Sequence, residues 1–156
     1  MPHQALARCV GDVDRFLAER LGQAPHLAVG AGPYDDLLSL ADVDHALTST
    51  GLRHPAVRMV RAGEPVPVAA YTRSARSGSA TVTALVDAGR LLDRFASGDT
   101  VVLQSLQRWW PRLTDLCGDL ELALGHRVQA NAYLTPPGAA GLADHHDTHD
   151  VFVLQV

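Results

Sequence analysis

The chain has 156 residues, 47% hydrophobic and 19% charged, which suffices for one domain with an apolar core. Its formal net charge of −4 excludes a global basic field that would draw it to nucleic acid or an anionic membrane surface. No apolar run reaches the roughly 20 residues of a membrane helix, so no membrane partner is expected.

The opening "MPHQALARCV" lacks a basic stretch followed by an apolar core, so no secretory signal is read there. Cys9 and Cys117 have neither metal nor redox spacing and read as buried thiols, which together predicts a cytoplasmic chain. All 13 basic residues are arginine; lysine is absent, and Asn131 is the single asparagine. Any role usually filled by lysine must be filled otherwise within these residues.

Taken in chain order, Leu6, Cys9, Val10, Val13, Phe16, Leu17 and Leu21 recur at helical spacing and predict one amphipathic helix over 5–21. "APHLAVGAGPYDD" is a Pro/Gly-rich connector. Helices are expected over 34–40 and 42–48, with Gly51 as a stop. "PAVRMVRAG" predicts a strand, and "YTRSARSGSA" reads as a polar, mobile loop. Asp87 is placed to cap a helix through Phe95 that ends at Gly98.

"TVVLQSL" predicts a buried strand by its β-branched content. "QRWWPRLTDLCGDLELALG" predicts one helix, with Pro111 in its first turn, Gly125 after its end, and Leu113, Leu116, Leu120 and Leu124 on its core stripe. The Trp109–Trp110 pair is read as packing at that helix start rather than as a base-stacking platform. "HRVQANAY" is expected to be extended, "LTPPGAAGLAD" a loop, and "HHDTHDVFVLQV" a strand with Phe152, Leu154 and Val156 on one face. Helices thus come first and strands grow dense toward Val156.

Residues 144–150 hold three histidines and three aspartates. On a strand, His145, Asp147 and His149 would share a face. Neighbours on that face lie about 6.6 Å apart, whereas His145 and His149 would be about 13 Å apart, too far to share one ion. The pair that converges is His145 with Asp147. One imidazole and one carboxylate begin a two-histidine, one-carboxylate iron site. Two other readings stay open at this point: a solvated turn, and a zinc site built from His145, His146 and His149.

"LGHRVQANAYLTPPGAAGLADHHDTHDVFVLQV", with "VVLQSLQRWWPRL" before it, resembles the cupin-like JmjC oxygenases of the ribosomal-oxygenase type. The resemblance is continuous from about Asp99 onward and fainter before it. It implies an α+β fold in which a helix-rich part (1–98) leads into the first strands of a double-stranded β-helix (99–156), cut short at Val156. It implies Fe(II) held by His145 and Asp147, with 2-oxoglutarate as co-substrate contacted by Tyr133 and its neighbour Asn131. The activity implied is hydroxylation of a protein side chain; known substrates of the group are ribosomal proteins, modified at arginine or histidine.

Two positions depart from the family's pattern. Asp144 stands where proline is common, and His146 stands between the ligands where tyrosine is common. The family's basic anchor for 2-oxoglutarate, its third iron ligand and the region carrying its dimer contacts would all fall past Val156. The 156-residue polypeptide is therefore expected to have little or no activity. The alternative is a non-catalytic metal-binding or interaction remnant of a cupin fold.

Overall fold

The computed structural model describes residues 3–30 and 32–156; Ala31, inside the predicted connector, lies outside the described residues. Two compact units make up the chain. One draws on the segments up to Ser39, Gln107–Ala130 and His146–Val156; the other comprises Leu40–Leu106 and Asn131–His145.

The first unit is helical, with α1 (Gln4–Val10), α2 (Val13–Glu19) and α5 (Pro111–Leu124). The single helix expected over 5–21 is two, because Gly11 turns the chain at φ 76° and the Asp12 carboxylate restarts it by accepting from the Arg15 backbone N–H at 3.0 Å. Leu6, Cys9 and Val10 of α1 are buried, as are Leu113, Leu116, Cys117 and Leu120 of α5, and the two helices pack together. The α5 boundaries match the expectation: Pro111 occupies the first turn, and Gly125 ends the helix in the left-handed conformation.

The helix expected over 34–40 is a turn instead. Its polar groups are used outward: Tyr34 Oη donates to the Arg8 carbonyl at 3.0 Å, Arg8 pairs with Asp36, and Arg112 donates to the Asp36 carbonyl at 3.0 Å. Trp110 Nε1 donates to the Leu37 carbonyl at 2.9 Å, so this tryptophan anchors the same turn.

The second unit holds α3 (Leu40–Ser49), α4 (Ala88–Ala96) and two sheets. One sheet is four-stranded and antiparallel in the order β2-β1-β5-β6, formed by Glu64–Pro65, Val57–Arg61, Thr100–Leu103 and Ala132–Leu134. The other is a hairpin of β3 (Thr72–Ser77) and β4 (Ala80–Val86). Here the expected mobile loop is a strand, because "TVTALV" supplies a β-branched partner across the Gly78 turn. The part expected to be helix-rich therefore carries strands, and the α+β class holds with a different distribution.

A buried carboxylate sets the centre of this unit. Asp99, fully buried, precedes β5 and accepts from Arg94 Nε of α4 at 2.5 Å and from Arg61 Nε at the end of β1. The guanidinium of Arg61 also donates to the Ser97 carbonyl and hydroxyl, both at 2.9 Å. Charge-assisted bonds of this kind offset the cost of burying a carboxylate.

The strand expected over 145–156 is not formed: those residues are irregular and make no ladder with any described segment. A strand exists only through its partner's backbone groups, so alternating side chains alone do not create one. Phe152 instead lies against Phe16 of α2, ring centroids 6.0 Å apart. Val151, Val153 and Val156 are exposed.

Asp99→Asn keeps the shape and removes the charge. Because the Arg61 and Arg94 side chains are 52% and 33% exposed, they regain water, and the loss expected in urea unfolding is about 2 kcal/mol. Burial pushes the Cys117 thiol up to about 11 and raises Cys9 as well. Both are therefore mostly unreactive thiols at pH 8 in the folded chain, and a thiol–disulfide reagent should label them only after unfolding.

Candidate active site

Of the sequence-predicted residues, Tyr133 lies on β6 and Asn131 just before it. In the ladder, Val102 pairs with Tyr133 and with Arg58 of β1, so Arg58, Val102 and Tyr133 form one row on one face of the sheet. The next row on that face is Val60 with Thr100; Thr100 and Thr135 meet through their hydroxyls at 2.9 Å. Tyr133 is 51% exposed, so its ring is available from outside rather than locked in the core. Asn131 precedes β6 by one residue, and its Oδ1 accepts from the Ser105 N–H at 2.9 Å. Ser105 sits at φ 54°, and this bond holds the chain in that uncommon conformation just after β5. Asn131 thus has a structural task whatever else it does.

The loop leading to His145 is seated at three points. After Thr135, the Ala139 N–H closes a turn onto the Pro136 carbonyl at 3.2 Å, with Gly138 at φ 76°. Gly141 passes so close to Thr135 that a Cβ there would sit 3.1 Å from its Oγ1. Ala143 rests on the β1–β2 hairpin turn, where Ala62 and Gly63 both have positive φ, as a two-residue turn of the favoured hand requires. A Cβ on Gly63 would lie 2.7 Å from the Ala143 Cβ, so a hydrogen is all that fits.

At the end of that loop, His145 Nδ1 lies 2.9 Å from the Ala143 carbonyl. A carbonyl oxygen only accepts, so Nδ1 carries the proton, and in the neutral ring Nε2 bears the lone pair. This is the tautomer and the kind of backbone support that a metal-ligating histidine uses. The donor chemistry of His145 and Asp147 therefore fits iron in kind. His145 belongs to the sheet unit and Asp147 to the helical unit. Among the described residues, no group of three or more His, Cys, Asp or Glu comes together for a metal.

Arg58 was not singled out by its spacing. It reads as the polar member of an alternating strand, and only the register reveals its row-mate Tyr133. Tyr71, nearly fully buried, approaches the same strand: its hydroxyl is raised by burial, against the opposing pull of the Arg58 charge, and meets His54 Nδ1 at 3.2 Å.

Residues 103–156 match the JmjC domain. Ribosomal oxygenase 1 of Gallus gallus is 30% identical over 145 residues, which covers 92% of this chain and 23% of that protein. The bifunctional lysine-specific demethylase and histidyl-hydroxylase NO66 is 39% identical over 64 residues in Branchiostoma floridae and 40% over 62 in Dictyostelium discoideum. These stretches cover 41% and 40% of the chain, and 10% and 12% of the relatives. Over these stretches the chain is similar to JmjC-domain proteins of the ribosomal-oxygenase type. It spans 23% or less of the length of each of these relatives.

Gly63→Ala puts a methyl group against Ala143 in a strained backbone and should cost about 1–3 kcal/mol. Amide hydrogen exchange should rise selectively over 139–145, whereas an unchanged exchange pattern would mean that the hairpin does not seat the loop.

Proposed function

We propose that this chain contributes to an Fe(II)- and 2-oxoglutarate-dependent oxygenase that hydroxylates a protein side chain, with a ribosomal protein as the substrate class. The observation that carries this reading is that the segment matching the JmjC domain contains both the H-x-D pair, with His145 supported on the Ala143 carbonyl, and the N-x-Y strand. His145 and Asp147 would hold the metal; Tyr133 and Asn131 would flank the co-substrate. The iron, when bound with 2-oxoglutarate and O₂, supplies the oxidising power for an unactivated C–H bond.

The remaining work belongs to the chain. The Ala143 carbonyl keeps the Nδ1 proton in place and so turns the Nε2 lone pair toward ligation. Tyr133, half exposed, offers a hydroxyl donor, and Asn131 fixes the backbone turn behind it. The incomplete double-stranded β-helix belongs to this same proposal. In it, β1, β5 and β6 are strands of that fold.

Two donors bind iron weakly, so the 156-residue polypeptide alone should turn over 2-oxoglutarate only at trace level. Robust succinate formation would show that the two donors suffice. Mn(II) affinity should fall about tenfold or more in His145→Ala and in Asp147→Ala, while His146→Ala and His149→Ala keep it. The reverse pattern, with tight Zn(II) binding indifferent to 2-oxoglutarate, would favour a zinc site instead. A well-folded chain that binds no Mn(II) would favour the non-catalytic remnant.

A further inference from the structure

The β3–β4 hairpin carries a surface that the oxygenase reading does not use. β4 is paired on both sides. Beyond its ladder with β3, it meets the chain before β1 through the Arg53–Leu85 bridge, with the His54 N–H donating to the Ala84 carbonyl at 3.0 Å and the Val86 N–H to the Leu52 carbonyl at 2.9 Å. Among the described residues β3 pairs with β4 alone, so its outer side is an open sheet edge. Alternate residues of an edge strand turn their backbone N–H and C=O outward, unpaired. Arg73, Ser74, Arg76 and Ser77 are exposed, so this edge faces solvent.

The edge is also regular. From Arg73 to Ala75 β3 advances two residues, whereas β4 runs from Leu85 to Val82. The extra residue of the bulge therefore lies in β4, where Ala84 takes φ 55°. At its start the edge is closed by Arg90, which donates to the Thr72 carbonyl at 3.1 Å. The run from Arg73 to Ser77 is left unbroken and unpaired.

Charge decides what can lie there. Residues 71–90 hold three arginines and a single acid, Asp87. That acid is engaged as the cap of α4, accepting from the Arg90 N–H at 3.2 Å, and approaches Arg73 Nε only to 3.9 Å. Arg76 makes no hydrogen bond or ion pair among the described residues. A second copy of this edge would bring arginine against arginine, which is unfavourable, whereas an acidic strand would bring carboxylates to both.

We infer that β3 is a docking edge for an extended, acidic segment of a partner protein, which joins the hairpin as a further strand. Main-chain bonds to the open edge supply affinity, and the two guanidinium groups supply the choice of sequence. Arg73 and Arg76 lie three residues apart on a strand whose side chains alternate, so they project from opposite faces, about 10 Å apart along it. The matching segment carries acids at positions i and i+3, one for each face. A nucleic acid would meet the same guanidinium groups but would leave the outward carbonyls of the edge without donors. The hairpin also has no aromatic residue on which bases could stack. This docking edge is independent of the proposed metal site.

The test uses the whole 156-residue chain and a fluorescein-labelled Thr/Val peptide of about eight residues with glutamates at i and i+3, followed by anisotropy. The wild-type chain should bind it, and amide exchange should slow over 72–77. Combining Arg73→Glu with Arg76→Glu should weaken binding about tenfold or more, and a peptide with arginines in place of the glutamates should prefer this reversed chain to the wild type. Arg76→Glu alone changes a side chain without a partner in the fold, so it covers a double variant that does not fold; it should weaken binding about threefold. N-methylation of alternate peptide residues, made in both phases, keeps the charges and removes backbone donors, and one of the two phases should abolish binding. Undiminished binding of both methylated peptides, or tighter binding of a short RNA duplex than of the peptide, would mean that charge alone acts at this surface and would overturn the inference. A wild-type chain that binds no acidic peptide would overturn it too, leaving the arginines only the task of keeping the edge from pairing with itself.

Discussion

Much of the sheet unit depends on one buried carboxylate. Asp99 lies at the point where α4 ends and β5 begins, and it binds Arg94 from the helix and Arg61 from the neighbouring strand. An unpaired charge there would cost several kcal/mol, so the two guanidinium groups are a condition for burial at all. Their pairing also fixes geometry. With Arg61 held at the end of β1, Val60 stands opposite Thr100, and the whole β1–β5 register follows.

From that register the site is assembled row by row. β5, buried along its full length, is the spine between β1 and β6, and it brings Arg58 and Tyr133 to one face from positions far apart in sequence. At the other end of β1, the turn at Ala62–Gly63 receives Ala143, which in turn supports the His145 ring through its carbonyl. The same strand thus carries Arg58 on one row and seats the loop of His145 at its end. The buried carboxylate of Asp99 is paired within the fold, while Tyr133 on the neighbouring strand is half exposed.

How much of this was legible in the sequence differed by element. Elements with their own punctuation were read closely: Pro111 and Gly125 bound α5, Asp87 caps α4, and the β-branched run "TVVL" is β5. Errors arose where tertiary partners decide. Gly11 and Asp12 interrupt a helical stripe that looks continuous by spacing. "YTRSARSGSA" is polar enough to pass for a loop until β4 pairs with it. Conversely, "VFVLQV" alternates like a strand but has no ladder among the described residues, so its pattern was necessary and not sufficient. For the site, the H-x-D pair and the N-x-Y segment were visible from spacing and resemblance. The task of Asn131 at Ser105 and the row that joins Arg58 to Tyr133 were not, because each joins residues that only the fold brings together; the support of His145 by Ala143 is local but depends on how the loop is seated.

We propose His145 and Asp147 as metal donors. The most direct measurement of this is paramagnetic line broadening in the amide spectrum of the isotopically labelled chain as Mn(II) is added. Broadening should centre on 143–149. The groove on α5 lined by Asp115, Asp119 and Glu121 offers a competing acidic surface. Broadening centred there, with 143–149 untouched, would contradict the account.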